Sequence, residues 1–517
     1  MLASSEAGMA SRFELLHQDQ LQGTLTTVDR LIIHGHLSRL WFPNHMAYLL
    51  DRLGVHIVRD FARFVKQASS QVIAHAEALA KKAGRPFIYQ DRVVKGKDVL
   101  ARQIAARDGV TQGLVCVFST VEPAMCFALA GGAIRPRLRK CLHLYFYLID
   151  RELGFIHIRL QTWFPFQIQV YMNGHEWLAR QLERRGVGFE RYENTFLSIS
   201  DLALAQRLCA RFTQRRWHRL LDAFARRVNP WLPTIRKHGF GSYYWCVDAC
   251  EVSTDLMWRK RSGLLHVLDD VFDYAIRAFS ADDVVRFLGL KRQPLKGDLE
   301  TRHARRPEGR RLKHRVRQNW LKLYDKWSVL RVETVINNPS DYRVLRFESD
   351  RRGRCRGRWM RMNKGVHNLW RYVQIGEATN RRYLDALAQV TPTAAAVGQL
   401  DSLCRPRVQL GQHFPRFNPV SRSDAELFQA VLSGAHLING LSNRDLQNQL
   451  WNTPPADPAH ARLRCRRVCR LIQKLRGHSL LAKIPGRRRY RVTLLGQRLM
   501  AAAVHYRQRD FPRACAA

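Results

Sequence analysis

The spacing of apolar residues along the chain predicts a fold in which helices and strands are interspersed and many strands follow one another. Apolar side chains alternate with polar ones, or form short unbroken runs, in segments that we expect to be strands. These predicted strands cover residues 28–37, 113–121, 141–150, 155–161, 167–172 and 243–254. Because many of them follow one another directly, the pattern favours an α+β fold with a mixed or antiparallel sheet over a doubly wound one.

Helical spacing and composition then suggest a domain organisation. Apolar residues three and four apart predict helices at residues 61–83, 176–185, 201–228 and 365–390, and two helices within residues 264–288. We expect a flexible N-terminus at residues 1–24 and an α+β core at 25–390, either undivided or broken near 190–240. Residues 391–422 read as a linker rich in Pro, Gly and short polar residues, and 423–517 as a final domain. The Arg-rich segment 302–318 is expected to be disordered.

The last hundred residues combine two helical patterns with a short basic hairpin. Ser442 is placed to cap the first helix, and the second covers residues 461–476. Its apolar face is predicted to consist of Leu463, Val468, Leu471, Ile472 and Leu475. Two short strands within residues 480–493 would flank a Pro-Gly turn. The cations predicted on the solvent face of the helix and at the hairpin tip are Arg462, Arg464, Arg466, Arg467, Arg470, Lys474, Arg476, Arg487, Arg488 and Arg489.

This arrangement resembles a winged-helix domain spanning Ser423 to Tyr506. The resemblance implies a helix that enters the major groove of DNA and a basic loop that lies on the flanking phosphates. A winged helix used only for protein contacts is the alternative. The twelve Lys and Arg residues between Arg462 and Arg491, with no acidic residue among them, argue against it.

The charge of the whole chain also indicates a polyanionic partner. Its 86 Lys and Arg residues against 43 Asp and Glu give a formal net charge of +43, and phosphate contacts would relieve the resulting self-repulsion. DNA is therefore the expected partner, with RNA as a second possibility. An acidic membrane would require an anchor or lipidation signal, and we identify none.

The sequence shows no leader peptide and no run of eighteen apolar residues, so we expect a soluble, cytoplasmic, nucleoid-associated protein. Eleven cysteines without a Cys-x-x-Cys pair are expected to be reduced and to act as small hydrophobes rather than as zinc ligands.

A second motif lies at residues 313–336, where alternation predicts two adjacent antiparallel strands separated by a turn at 326–328. The basic residues of this region and of the segment before it are predicted to contact nucleic acid: Arg310, Arg311, Lys313, His314, Lys322 and Lys326. The strand pair resembles one in the replication initiators of small plasmids and filamentous phages, in which a Lys-x-Tyr-Asp-Lys strand precedes a Leu-Arg-x-Glu strand.

Those initiators nick DNA with a tyrosine hydroxyl and a divalent ion. The resemblance implies that Glu333 is a metal ligand for Mg²⁺ or Mn²⁺ and that Tyr324 is the nucleophile. The alternative is an ordinary cross-strand Glu/Lys pair beside a half-buried tyrosine. Two features depart from the family pattern. His34-Gly-His36 stands where a His-hydrophobic-His pair is expected, and residues 309–314 replace a Gly-Ser-Arg-x-Ser segment.

Carboxylates within or at the ends of apolar strands form a further candidate site: Asp29, Glu122, Asp150, Glu251 and Asp255. Carboxylates that converge from several strands are what metal-dependent phosphodiester chemistry needs, and we place Glu251 and Asp255 with Glu333 as metal ligands. The alternative is that each carboxylate pairs with a nearby Arg.

The resulting hypothesis is a nucleic-acid-binding protein of a mobile element or plasmid-like replicon, with metal-dependent strand cleavage or transfer as its reaction. The alternatives are a non-enzymatic winged-helix regulator and an RNA-binding partner of a structured transcript. Aromatic residues between Cys141 and Trp177 would be core residues or base-stacking groups. The sequence has no Gly-Lys-Ser/Thr phosphate loop, which argues against ATP-driven work.

Overall fold

A computed structural model describes residues 10–90, 96–290, 299–349, 355–388, 400–409, 411–433, 436, 440–451 and 453–507. The chain is a mixed α/β protein with a large mixed sheet, as the strand and helix patterns predict. Parts of three predicted segments lie outside the described residues. They are residues 391–399 of the predicted linker, most of residues 351–356 in an Arg run, and residues 1–9 of the predicted flexible N-terminus.

The strands are β1 (Leu21–His36), β2 (Phe87–Gln90), β3 (Gly113–Ala130), β4 (Ala133–Asp150), β5 (Gly154–Gln161), β6 (Ile168–Asn173), β7 (Phe189–Tyr192), β8 (Thr195–Ile199), β9 (Tyr244–Trp258), β10 (Leu299–Arg306), β11 (Gly309–Val316), β12 (Asn319–Lys326), β13 (Val329–Ile336), β14 (Arg343–Ser349), β15 (Cys355–Arg361), β16 (Arg407–Gln409), β17 (Gln412–Phe414), β18 (Leu481–Lys483) and β19 (Tyr490–Val492). Eleven of them form one sheet in the order β10-β11-β12-β13-β9-β1-β6-β5-β4-β3-β2. In this sheet β2 pairs in parallel with β3, whereas β3, β4, β5, β6 and β1 pair antiparallel in succession.

The helices are α1 (Arg12–His17), α2 (Pro43–Arg52), α3 (Phe61–Lys82), α4 (Lys97–Arg107), α5 (Gly174–Glu183), α6 (Leu202–Thr213), α7 (Trp217–Val228), α8 (Leu232–Lys237), α9 (Arg261–Arg277), α10 (Ala281–Phe287), α11 (Leu369–Leu387), α12 (Arg422–Val431), α13 (Asn443–Leu450), α14 (Pro458–Gly477) and α15 (Leu494–His505). Their sequences explain their bounds. In α3, for example, the buried residues from Phe61 to Ala80 recur every three or four positions, and α14 begins with the N-cap Asp457 followed by a proline.

The chain forms two compact units. One comprises Met1–Thr24, Thr254–Thr334 and Glu377–Ala517, and the other comprises Leu25–Ser253 and Val335–Gly376.

The first unit contains two large apolar clusters. In one, α9 and α11 cover the inner face of β11, β12 and β13, with Leu312, Leu323 and Val332 among its buried residues. The other unites the C-terminal elements α12 to α15 with Leu400, Leu403 and Phe417. Part of the predicted linker is therefore packed against the C-terminal helices. In the second unit, α4 packs on β3, β4 and β5.

Two local predictions are wrong. The segment 302–318, expected to be disordered, forms most of β10 and β11, because Leu312, His314 and Val316 alternate inward while arginines and a lysine occupy the positions between them. Within the predicted flexible N-terminus, residues 12–17 form α1, which a capping box of Ser11 with Glu14 starts and in which Phe13 is buried. Among the described residues, no helix is both long and apolar enough to span a membrane.

Candidate metal centre and basic surfaces

Three buried carboxylates meet on three neighbouring strands of the large sheet. Asp29 lies on β1, Glu251 on β9 and Glu333 on β13. One oxygen from each side chain lies within 4.8 Å of an oxygen from each of the others. All three residues are among those predicted from the sequence. A set of carboxylate oxygens at this spacing suits a divalent cation that prefers oxygen ligands, such as Mg²⁺ or Mn²⁺.

Burial of these side chains follows from the position of their strands. All eight residues of β13 are buried, as is β9 from Ala249 onward. A carboxylate on such a strand is withdrawn from water whichever face it occupies, and a buried charge is costly unless it is paired, hydrogen-bonded or bound to a metal. The partners of the three carboxylates therefore decide what the cluster can do.

Basic side chains contact the cluster directly. Lys322 on β12 places its Nζ 2.5 Å from Oε1 of Glu333, and both side chains are buried. Arg30 places Nη2 2.6 Å from Oε1 of Glu251, and its own side chain is 42% exposed. The cluster therefore comes close to solvent on the side of Arg30.

Asp29 is held by a different kind of partner. Its Oδ1 accepts hydrogen bonds from the amide groups of Asn173, at 3.2 Å, and of Asn194, and lies 3.5 Å from Nδ1 of His175. Asn173 also caps α5. Gly174 allows the first residue of α5 to lie close to the backbone of β1, since a Cβ at Gly174 would lie 2.0 Å from the carbonyl oxygen of Val28. The start of α5 is therefore fixed beside Asp29.

The carboxylates of the cluster repel one another. At a separation near 5 Å, two like charges in a protein environment of effective dielectric constant about 20 cost about 3 kcal/mol. Lys322 and Arg30 offset part of this repulsion, and a divalent cation bound between the oxygens would offset more.

Asp255 does not join this cluster, contrary to the prediction. It forms a bidentate ion pair with Arg331, with distances of 2.6 Å from Nε to Oδ1 and 2.7 Å from Nη2 to Oδ2. Both side chains are almost completely buried. Two parallel charge-assisted hydrogen bonds explain the burial of this carboxylate without a metal. We therefore remove Asp255 from the ligand set.

Glu122 likewise lies apart from the cluster, in a pocket of about 500 Å³. Its carboxylate accepts hydrogen bonds from Tyr145 at 2.6 Å, Arg159 at 2.6 Å and Lys97 at 3.1 Å. Burial raises the pKa of Glu122, but these donors outweigh it and the net pKa is lowered. Tyr145 and the two cations account for its charge.

Asp150 has a local structural role. Its Oδ1 accepts hydrogen bonds from the backbone N–H groups of Glu152 and Leu153, both at 2.9 Å, in the turn between β4 and β5. A carboxylate that closes a turn in this way needs no metal to explain it.

Tyr324 is half-buried on β12, beside Lys322 and Lys326, whose Nζ atoms lie 5.9 and 5.6 Å from the centre of its ring. The Glu/Lys pair that we considered as an alternative role for Glu333 is thus present, in addition to the carboxylate cluster.

The His34-Gly-His36 segment lies in a different pocket. The two imidazole rings are 6.2 Å apart, and Nδ1 of His34 is 3.5 Å from Asp248. Trp41 and Phe42 line the same pocket. These histidines are not part of the carboxylate cluster.

The basic residues predicted around β11 and β12 have mixed surroundings. His314 is buried between Thr301 and Tyr383, and burial lowers its pKa to about 4, so its predicted contact with nucleic acid is wrong. Lys322 is committed to Glu333, as described above. Arg310 pairs with Asp269 at 2.6 Å. The remaining three, Arg311, Lys313 and Lys326, are half-buried.

A cationic surface runs along α14 and the hairpin of β18 and β19. Seven of the arginines predicted to contact nucleic acid are exposed there: Arg462, Arg466, Arg467, Arg470, Arg476, Arg487 and Arg488. Four of them, together with Ala459 and Leu463, line an open groove of about 550 Å³. We call these seven arginines the basic surface.

Three predicted members of this surface are occupied by internal contacts. Arg464 is buried, donates to the carbonyl oxygen of Thr453 at 2.6 Å and lies over the Trp451 ring. Lys474 lies 3.8 Å from the centre of the Phe417 ring. Arg489 donates to the carbonyl oxygen of Gly440 at 3.0 Å.

The buried stripe of α14 explains the error at Arg464. Arg464, Val468, Ile472 and Leu475 recur every three or four residues and are buried, whereas Leu463, predicted on the apolar face, is 63% exposed.

Sequence reasoning missed the residues that hold the cluster, namely Arg30, Asn173, His175 and Asn194. The capping residue Asn173 with its following glycine was a usable signal for a helix start, but its contact with Asp29 depends on the pairing of β1 with β6.

Comparison with known proteins found no matching protein family, no matching curated protein and no matching solved structure.

Proposed function

We propose that this protein binds DNA and cleaves or transfers a strand with the help of a divalent metal ion held by Asp29, Glu251 and Glu333. The observation that carries the proposal is the meeting of these three buried carboxylates from neighbouring strands. A bound Mg²⁺ or Mn²⁺ would polarise a phosphoryl oxygen and stabilise the charge that develops during phosphodiester cleavage.

The neighbouring side chains would prepare the site for that ion. Lys322 holds Glu333 in place, and Asn173 and Asn194 orient Asp29 through their amide groups. Fixed ligands of this kind reduce the rearrangement needed on metal binding. Arg30 contacts Glu251 and is partly exposed, so its guanidinium is placed to meet a phosphate that approaches the cluster.

The C-terminal elements support DNA binding as part of this proposal. Helices α12, α13 and α14 are followed by the hairpin of β18 and β19, an order compatible with a winged-helix domain. Arg466, Arg467 and Arg470 are exposed on α14, and Arg487 and Arg488 on the hairpin turn. We propose that α14 enters the major groove and that the hairpin contacts the flanking phosphates. The resemblance to replication initiators motivates the further proposal of a mobile-element or plasmid-like role.

The test compares Glu333→Gln with Glu122→Gln, the matched change at a half-buried carboxylate outside the cluster. With Mg²⁺ or Mn²⁺ and plasmid or oligonucleotide DNA, we expect Glu333→Gln to lose at least about a hundredfold in cleavage rate, because metal stabilisation of the reacting phosphate is worth several kcal/mol. Glu122→Gln should retain activity, and both variants should bind duplex DNA like the wild type.

A triple variant with alanine at Arg466, Arg467 and Arg470 separates binding from chemistry. It should weaken duplex binding and make the slope of log affinity against log salt concentration shallower by about 0.9 for each phosphate that the protein no longer neutralises. Unchanged cleavage by Glu333→Gln would refute the metal assignment. Tight duplex binding without cleavage by the wild type would favour a regulator, and tighter binding of RNA at matched salt would favour an RNA partner.

A further inference from the structure

The hairpin of β14 and β15 presents aromatic rings on an exposed face. It forms a two-stranded sheet of its own, in which Leu345 lies opposite Trp359 and Phe347 lies opposite Gly357. Residues directly opposite each other or two apart along a strand share a face, so Leu345, Phe347 and Trp359 lie on one side. Phe347 is 68% exposed and Trp359 is 45% exposed. We call this side the aromatic face.

Gly357 lets the Phe347 ring rest against the partner strand. A Cβ at Gly357 would come within 3.1 Å of that ring and 3.3 Å of Leu345, closer than ordinary van der Waals contact. One edge of the Phe347 ring therefore packs against the backbone at Gly357, while most of the ring surface stays exposed to solvent. A ring that is both supported and exposed can accept a flat group at little entropic cost.

Cations surround these rings. Arg343 and Arg361 lie opposite each other on the same side of the hairpin and are exposed. The guanidinium of Arg371 lies 5.4 Å from the centre of the Trp359 ring, and its Nε donates to the carbonyl oxygen of Arg343. The aromatic face is therefore complementary to an anion that carries flat apolar groups.

We propose that the aromatic face binds unpaired nucleotides of single-stranded nucleic acid, with Phe347 and Trp359 stacking on bases and Arg343 and Arg361 contacting phosphates. Bases within a duplex are already stacked, so they cannot offer their faces to these rings, whereas unpaired bases can. This inference deepens the proposed function by naming the form of nucleic acid bound. It depends on the rings and their cations and not on the carboxylate cluster.

The test uses two oligonucleotides of about 16 nucleotides, oligodeoxythymidine and an abasic strand of the same length. The abasic strand has phosphates but no bases to stack. We expect Phe347→Ala and Trp359→Ala each to weaken oligodeoxythymidine binding by about 5- to 150-fold, the range for loss of one stacking ring. Binding of the abasic strand should be unchanged. Oligouridine in parallel shows whether RNA is held equally well.

Tyr89→Ala is the matched control, since Tyr89 is an aromatic residue 56% exposed on the edge strand β2, and it should leave binding unchanged. Unaltered thermal unfolding of each variant would exclude misfolding as a cause. Equal losses for the two oligonucleotides, or no loss in the Phe347/Trp359 double variant, would overturn the proposal. Strand binding by a wild type that cleaves nothing would refute the metal proposal and leave this one standing.

Discussion

The cluster of Asp29, Glu251 and Glu333 and the surroundings of Glu122 are two solutions to the same problem, a carboxylate on a largely buried strand. Around Glu122 one carboxylate faces the donors Lys97, Tyr145 and Arg159. In the cluster three carboxylates lie within 4.8 Å of one another. Burial of an acidic residue therefore does not by itself indicate a metal site. The grouping of several carboxylates in one place is the informative feature.

The largest expected difference between the two regions follows from removing a buried lysine. Lys322→Met would leave Glu333 buried beside two other carboxylates, and we expect a loss of about 3–5 kcal/mol in the free energy of unfolding in chelator. Lys97→Met should lose less, because Arg159 and Tyr145 still satisfy Glu122. Urea unfolding of both variants measures this. Equal losses would mean that the cluster carries no excess of negative charge.

Divalent ions provide the next comparison. At an ion concentration about 100 times its dissociation constant, one site raises the free energy of unfolding by about 2.7 kcal/mol. We expect Mn²⁺ or Mg²⁺ to stabilise the wild type and Glu122→Gln by this amount and to have little effect on Glu251→Gln. Unfolding curves with and without chelator are the measurement. Stabilisation that survives in Glu251→Gln would place the ion elsewhere.

The smallest expected effect concerns pH. The folded-state pKa of Glu122 is lowered from its ordinary value of 4.5, so its ionised form contributes stability that is present above pH 4.5. That contribution is lost as the pH falls from 4.5 through the lowered pKa. Glu122→Gln should therefore lose less stability than the wild type over this window. Urea unfolding across the acid range tests this, and parallel curves for the two proteins would contradict it.

Much of the fold could be predicted because its signals are local. The long helix α3 and the hairpin of β12 and β13 follow from the spacing of apolar residues in the sequence. Errors arose where charged residues concealed that spacing. Because β10 and β11 are rich in arginine, we predicted disorder where two strands form. Arg464 occupies a buried position on α14, although a charged side chain is predicted to face solvent.

The sequence by itself determined which charged residues are available for binding and catalysis, namely a large cationic excess, an acid-free C-terminal helix and a short set of carboxylates on apolar strands. Only the tertiary structure decided how those carboxylates are used, because the order in which β13, β9 and β1 pair is a non-local property of the chain. That order joins Asp29, Glu251 and Glu333 across more than three hundred residues of sequence and leaves Asp255 to Arg331.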